Sequence, residues 1–317
     1  MIGLGPVYAA IGAFLLFAAA RVACDAANPR RVTSAVFWAV LGALFVAGDR
    51  LPRSVVGACV VAIAVVAGCG GVRAGRGPES DGAKRDASAS RLGHRLLVPA
   101  LLIPVLTIAF LFAAQAAAKR GHVLVDPKQV TLISLAFASA IAFAIACAVT
   151  RASPVRGLDE GRHVLGSIGW AALLPLLLAM LGTVFAKTGV GAAFSDLLLR
   201  HVELDDRTIA IVVYGVSMAA LTAVLGNAFA AFPVIAAGIG APILVAKLGA
   251  DPAVVGSLGM LTGYCGTLLS PMAANYNVVP AALLELKDPH GVIKAQAPTG
   301  LVLFVVNLVL MRLLAFG

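Results

Sequence analysis

The polar side chains able to handle a solute cluster in two short stretches, each inside a long charge-free run. The first reads Gly226, Asn227, Ala228, Phe229, Ala230, Ala231, Phe232, Pro233. The second reads Ser270, Pro271, Met272, Ala273, Ala274, Asn275, Tyr276, Asn277, Val278, Val279, Pro280. Each sets Asn beside Gly or Pro. Proline cannot donate a helical hydrogen bond and clashes with the preceding turn, while glycine tolerates unusual dihedrals. A helix broken there frees backbone groups next to an amide that both donates and accepts. Helix N-termini and Asn amides can hold a carboxylate without a buried cation, and Asn and backbone oxygens can hold a co-transported cation. The expected substrate-binding residues are Gly226, Asn227, Ala228, Phe229, Pro233, Thr267, Ser270, Pro271, Asn275 and Asn277, with the three asparagines in one polar site near mid-membrane.

Other chemistry is missing from the sequence. It holds no paired-histidine zinc motif, nucleophile elbow, phosphate loop or aspartate-rich site. No catalytic residue, metal ligand or cofactor is therefore expected. The carboxylates closest to membrane depth are Asp196 and Glu285, and a proton relay would need such a group or one on another subunit. A coupling ion, sodium or proton, stays open.

These stretches must be positioned by membrane helices. Of 317 residues, 61% are hydrophobic and 12% charged, against about a quarter charged in a soluble domain. That balance excludes a soluble enzyme, a disordered tail and a disulfide scaffold. Charge-free runs occupy 1–20, 32–48, 54–72, 96–118, 129–150, 163–186, 208–246, 252–284 and 295–311. A crossing helix takes roughly 20 apolar residues, so seven runs suit one crossing each and the two longest must be broken. The expected fold is all-α: a polytopic integral membrane protein with about 9–11 membrane segments, some broken or re-entrant. It reads as one permease domain over 1–317, with the substrate-site half in 163–311.

Charge orients the helices. Basic residues at the loop ends after segments one, three and five number twelve, against five after segments two and four. Positive residues gather on the cytoplasmic side, which places the N-terminus outside and residues 73–95, rich in Gly, Ser and mixed charge, in a flexible cytoplasmic loop. Topology thus accounts for the net charge of +9. No aromatic residues interleave the charges of 73–95, so nucleic acid is not an expected partner; the lipid bilayer is. The first apolar segment lacks a preceding basic residue and reads as a retained helix. The five cysteines lack metal-ligand spacing and read as packing residues.

Within the broken runs, residues 234–246 are too short to span and read as a re-entrant half-helix. The stretch 190–199 likewise reads as re-entrant or interfacial. Proline kinks with asparagine as interhelical glue would use the same residues. A pair of Gly/Pro-interrupted segments, however, is the sequence pointer to a transporter's substrate site. Gly256, Gly259, Gly263 and Gly266 share one helical face and predict close backbone packing, while Thr262, Tyr264 and Thr267 could reach a cavity.

Over Gly226–Gly240, Gly263–Leu286, and Gly291–Gln296 with Pro298 and Thr299, the chain resembles the 5-oxoproline (pyroglutamate) transporter subunits. These form a former domain-of-unknown-function family within the ion-transporter superfamily. Weaker likeness extends through Ala27–Pro29, Gly48–Asp49, Gly157–Arg162 and Gly169–Trp170. The resemblance implies a secondary carrier for 5-oxoproline or a similar small carboxylate, multi-pass in a bacterial-type inner membrane, working with a second, smaller membrane subunit. It also implies that a hairpin tip (Gly226–Pro233) and an unwound helix (Ser270–Pro280) meet at the substrate. One such pair is evident, so a partner or another copy of the chain would supply the other half. Alternatives are a self-sufficient homodimeric organic-anion carrier, or an intramembrane enzyme or assembly factor without transport.

Overall fold

A computed structural model of the chain describes residues 2–73, 82–123, 125–200, 204–284 and 286–316. Among the described residues the only β-pairing is an isolated bridge between Ile2 and Val125, and nine helical stretches are long and apolar enough to cross a bilayer. The chain is an all-α, multi-pass membrane protein. It divides into two compact units, 1–169 and 170–317.

The first unit holds α1 (Gly5–Ala23), α2 (Arg31–Ala47), α3 (Arg53–Gly68), α4 (Gly82–Leu92), α5 (Val98–Lys119), α6 (Val130–Thr150) and α7 (Pro154–Ile168). Long runs of Ala, Leu, Val and Phe satisfy the backbone internally, as hydrocarbon demands. Helices α1 and α2 pack closely at Gly12 and Gly42, where a Cβ on Gly42 would stand 3.0 Å from the Gly12 carbonyl oxygen. One end of the unit is tied by polar side chains. Asn28 Nδ2 donates to the Arg73 carbonyl at 2.8 Å, Arg73 N–H donates to Ser34 Oγ at 3.0 Å, and Arg21 clasps Asp159 with two hydrogen bonds of 2.8 Å. The other end joins Asp126 N–H to the Ile2 carbonyl.

The expected loop 73–95 needs correction. Residues 82–92 form α4 and residues 93–97 a 3-10 turn, while 74–81 lie outside the described residues. Ala, Lys, Arg and Leu dominate 83–92 and are good helix formers, so mixed charge alone did not signal a loop.

The second unit holds α8 (Leu174–Lys187), α9 (Val190–Leu199), α10 (Arg207–Leu225), α11 (Ala228–Ile235), α12 (Pro252–Leu269), α13 (Val279–Leu283) and α14 (Gly291–Leu314). Asp206 caps α10 by accepting from Thr208 and Ile209 N–H at 2.8 and 2.9 Å. Asp251 caps α12 in the same way. Both caps sit at the end where Asp251 N–H meets the Ala315 carbonyl, so α10 and α12 run away from it and α14 returns to it. The core includes Tyr214, Met218, Ile235, Ile239 and Leu244, all fully buried. The glycine face packs as expected at Gly259 against the Tyr214 ring, Gly263 against Ala228 and Gly266 against the Ala219 backbone, but Gly256 faces open space.

Two expected re-entrant pieces are otherwise built. The helix does not stop at Pro233. It runs on from α11 as a π-helix over Ala236–Lys247, so that 228–247 form one stretch of spanning length. The wider i→i+5 turn, seen in Leu248 N–H bonding the Ile243 carbonyl at 2.9 Å, relieves the clash that Pro242 would cause in an α-turn. Helix α9 is also no separate dip. Gly182 of α8 lies against Phe229 and Ala230, Gly191 of α9 against Val234 and Gly238, and Asp205 pairs with Lys247. Helices α8 and α9 thus follow α11 and the π-helix in one direction, as a single kinked crossing with its bend at Gly189 (φ 73°).

Candidate functional site

The real breaks lie at Gly226–Asn227 and at 270–273, and they touch. Gly226 ends α10 in the left-handed region at φ 73°, which costs a residue bearing a Cβ. A Cβ there would also stand 2.5 Å from the Met272 carbonyl oxygen. Only glycine lets the second break approach so closely. Asn227 then opens α11 as its N-cap, Oδ1 accepting from Phe229 N–H at 2.8 Å, the geometry that favours Asn at this position.

Ser270 stitches the two breaks together. It is fully buried, donates from Oγ to the Ala223 carbonyl at 2.6 Å and accepts from Met272 N–H at 3.1 Å. A short π-turn, Ala274–Val278, leads from this break into α13. Asn277, 1% exposed, donates from Nδ2 to the Ser270 carbonyl at 2.6 Å and the Thr267 carbonyl at 3.2 Å. Its Oδ1 accepts from Gln296 Nε2, which also reaches the Leu268 carbonyl at 3.3 Å. Where α12 ends, the Leu268 carbonyl thereby gains a side-chain amide donor, and the Thr267 and Ser270 carbonyls, which also accept from Ser270 and Ala273 N–H, gain a second one.

A cavity of about 90 Å³ opens where these elements meet. Pro175 and Leu178 of α8 form one wall, Gly226, Asn227, Ala228 and Phe229 another, and Tyr264, Thr267, Ala274 and Tyr276 the rest. At about 10–15 Å³ per water-sized group, it has room for roughly six to nine such groups, the size class of an amino-acid-like molecule. The Phe229 and Tyr264 rings meet edge to face at 6.2 Å, and Tyr264 and Tyr276 stand 5.9 Å apart. No charged side chain lines the cavity among the described residues.

Its polar groups are donors with room to spare. The backbone N–H groups of Ala228, Ala274 and Tyr276, and the Asn227 Nδ2, have no hydrogen-bond acceptor among the described residues. With the negative end of α12 covered by amides, what remains at the cavity is the positive end of α11 and unspent N–H groups, an arrangement that favours an anion.

The structure thus brings Gly226, Asn227, Ala228, Phe229 and Thr267 together at one cavity. Pro233 lies within α11, away from it, and Ser270 and Asn277 bond to backbone instead. Pro271 and Asn277 line a different cavity, of about 310 Å³, beside His290 and Ile293. The Asn275 side chain and Glu285 lie outside the described residues. Asp196 is exposed on α9. Sequence reasoning missed Pro175 and Leu178, which come from a distant helix, and Gln296. The last had a signal, being an amide inside the apolar run 295–311.

The site is also off-centre. Gln296 marks its level on α14, ~8 Å of helix from Gly291 and ~27 Å from Leu314 at about 1.5 Å per residue. Along α14 the breaks lie nearer its N-terminal end than its middle, because α10 and α12, of 19 and 18 residues, run almost a full span before they end at the breaks.

No curated protein and no solved structure matches the chain. A family model does, over residues 5–316. The chain belongs to the family described as "Protein of unknown function (DUF979)".

Proposed function

We propose that this protein is the membrane subunit of a secondary transporter for 5-oxoproline or a similar small carboxylate. The observation that carries the reading is the neutral, amino-acid-sized cavity lined by Asn227 and by Ala228, Ala274 and Tyr276, whose backbone N–H groups have no acceptor among the described residues. A carboxylate can accept from such donors at a helix N-terminus. No Asp or Glu is among the described lining residues to pair with an ammonium group. A substrate whose nitrogen is uncharged, as in a lactam, is therefore preferred over a free amino acid. The breaks at Gly226–Asn227 and 270–273 expose backbone at membrane depth, which hydrocarbon permits only where protein or a cavity satisfies it.

The chain works in a bacterial-type inner membrane, coupled to sodium or protons. Among the described residues the touching pair of breaks belongs to the second unit alone, which supports a smaller membrane subunit or another copy completing the pathway. Uptake of labelled 5-oxoproline by cells expressing this chain, with and without its neighbouring membrane subunit, tests the reading. Uptake above background that collapses with the sodium or proton gradient supports it. Uptake indistinguishable from empty cells in every combination sinks it.

A further inference from the structure

We infer that Gln296 is the positioning residue of this cavity: from α14, acting through Asn277, it sets the unwound segment that presents Ala274 and Tyr276 to the ligand. The inference rests on reading the cavity as the carboxylate site. Gln296 does not line the cavity. Its amide nitrogen is shared between Asn277 Oδ1 and the Leu268 carbonyl, and Asn277 spends both its protons on the Thr267 and Ser270 carbonyls. These two side chains supply the amide donors to three carbonyls at the end of α12.

The orientation of each amide follows from this set. Asn277 must face its oxygen toward Gln296, because its nitrogen is committed to the two carbonyls, so position 296 must donate. Asn277 also sits between Tyr276 and Val278 in the π-turn, so a shift of its side chain moves the backbone that carries the Ala274 and Tyr276 N–H groups. Without the bracket, the Leu268 carbonyl loses its amide donor and the Thr267 and Ser270 carbonyls keep only the Ser270 and Ala273 N–H groups, which leaves more unpaired negative charge beside a site built for an anion.

A glutamate side chain at this position discriminates the role from mere packing. It matches glutamine in shape but donates nothing when ionised, and one proton when neutral. Among the described residues α12 and 274–283 carry no charged side chain facing it, and the closest on α14, Lys294, is paired with Asp288; His290 shares a cavity with Asn277 but is common to wild type and both variants. An acid dependence in the difference between the glutamate variant and wild type at the same pH therefore belongs to position 296.

The test is backbone hydrogen exchange, read by mass spectrometry on the full-length wild type, Gln296→Leu and Gln296→Glu, each compared with wild type at the same pH. Gln296→Leu should speed exchange over 271–278 by roughly tenfold, about one lost hydrogen bond, while α10 peptides stay within about twofold. Gln296→Glu should do the same at about pH 8 and return toward wild type at about pH 5, as the carboxyl regains its proton. Labelled 5-oxoproline uptake run in parallel should show a raised KM with the maximal rate kept. Exchange over 271–278 unchanged in both variants overturns the inference. So does an increase that spreads equally through α10 at both pH values, which would make Gln296 a packing residue. Because exchange needs no ligand, failure of wild-type uptake would count against the transport reading alone.

Discussion

Asn227 does two jobs with one amide, and substitutions can separate them. Its oxygen caps α11; its nitrogen has no protein acceptor among the described residues, and the residue lines the cavity. Asn227→Asp keeps the cap but replaces the donor with a negative charge. Carboxylate affinity should fall by about 1–3 kcal/mol with little change in thermal unfolding. Asn227→Ala should lose affinity and also about 1 kcal/mol of stability from the missing cap. Normal binding by the Asp variant would place the ligand elsewhere. Gly226→Ala tests the neighbouring constraint: a left-handed backbone and the close Met272 carbonyl should together cost about 1–3 kcal/mol in thermal unfolding. At this scale the sequence was half legible. It located both breaks, yet Ser270 and Asn277 read as ligand groups when they serve backbone. A break creates orphan carbonyls and a site for solute at once, and both attract the same short polar side chains, so composition could not apportion them.

Helices were legible from run length, since hydrocarbon imposes internal hydrogen bonding on every crossing. What the runs could not tell was how a helix passes a proline. Pro233 looked like an endpoint, and the chain instead continues and widens its turn from residue 236 onward. Tertiary packing decided this, through Gly238 against Gly191 and Gly240 against the Tyr214 ring, contacts that no local pattern records. The capping residues make an element-level prediction. Backbone N–H bonds, that of Ile209 foremost, hold the Asp206 carboxyl below its ordinary value of 3.8. A carboxyl lowered in the folded state adds stability above its unfolded pKa and loses it as pH falls through the folded one. An asparagine in its place would cap equally well without titrating. Acid unfolding curves should therefore show wild type losing ground to Asp206→Asn below about pH 4. Parallel curves through that range would mean that Asp206 is not what anchors the start of α10.

For the whole molecule, the alternation of basic residues and the ties within the first unit agree. Arg21, Asn28, Arg73 and Asp159 are joined by hydrogen bonds at one end, the end assigned to the cytoplasm. Cys24 and Cys69 are both exposed and close the helices α1 and α3 there. An impermeant thiol reagent applied outside intact cells should therefore leave them unlabelled, together with a cysteine placed at Ser88, and should label all three after permeabilisation. Ready labelling from outside would invert the topology of the first unit. This orientation is the one that the count of basic residues over the first five loops predicts. Run lengths and charge counts do not give the division at residues 169–170, which depends on which helices pack together.

The absence of ionised side chains among the described residues lining the cavity has an electrical consequence. Membrane potential is worth about 2.3 kcal/mol per elementary charge per 100 mV, and it can act only on charge that moves. In a carrier built on such a cavity these lining residues would add no ionised side chain to the empty return, and voltage would bear on the loaded step. The charge moved per full cycle is in any case that of solute plus coupling ion, none for one carboxylate with one cation and one positive charge with two. The uncharged lining thus decides only which half of the cycle the voltage acts on.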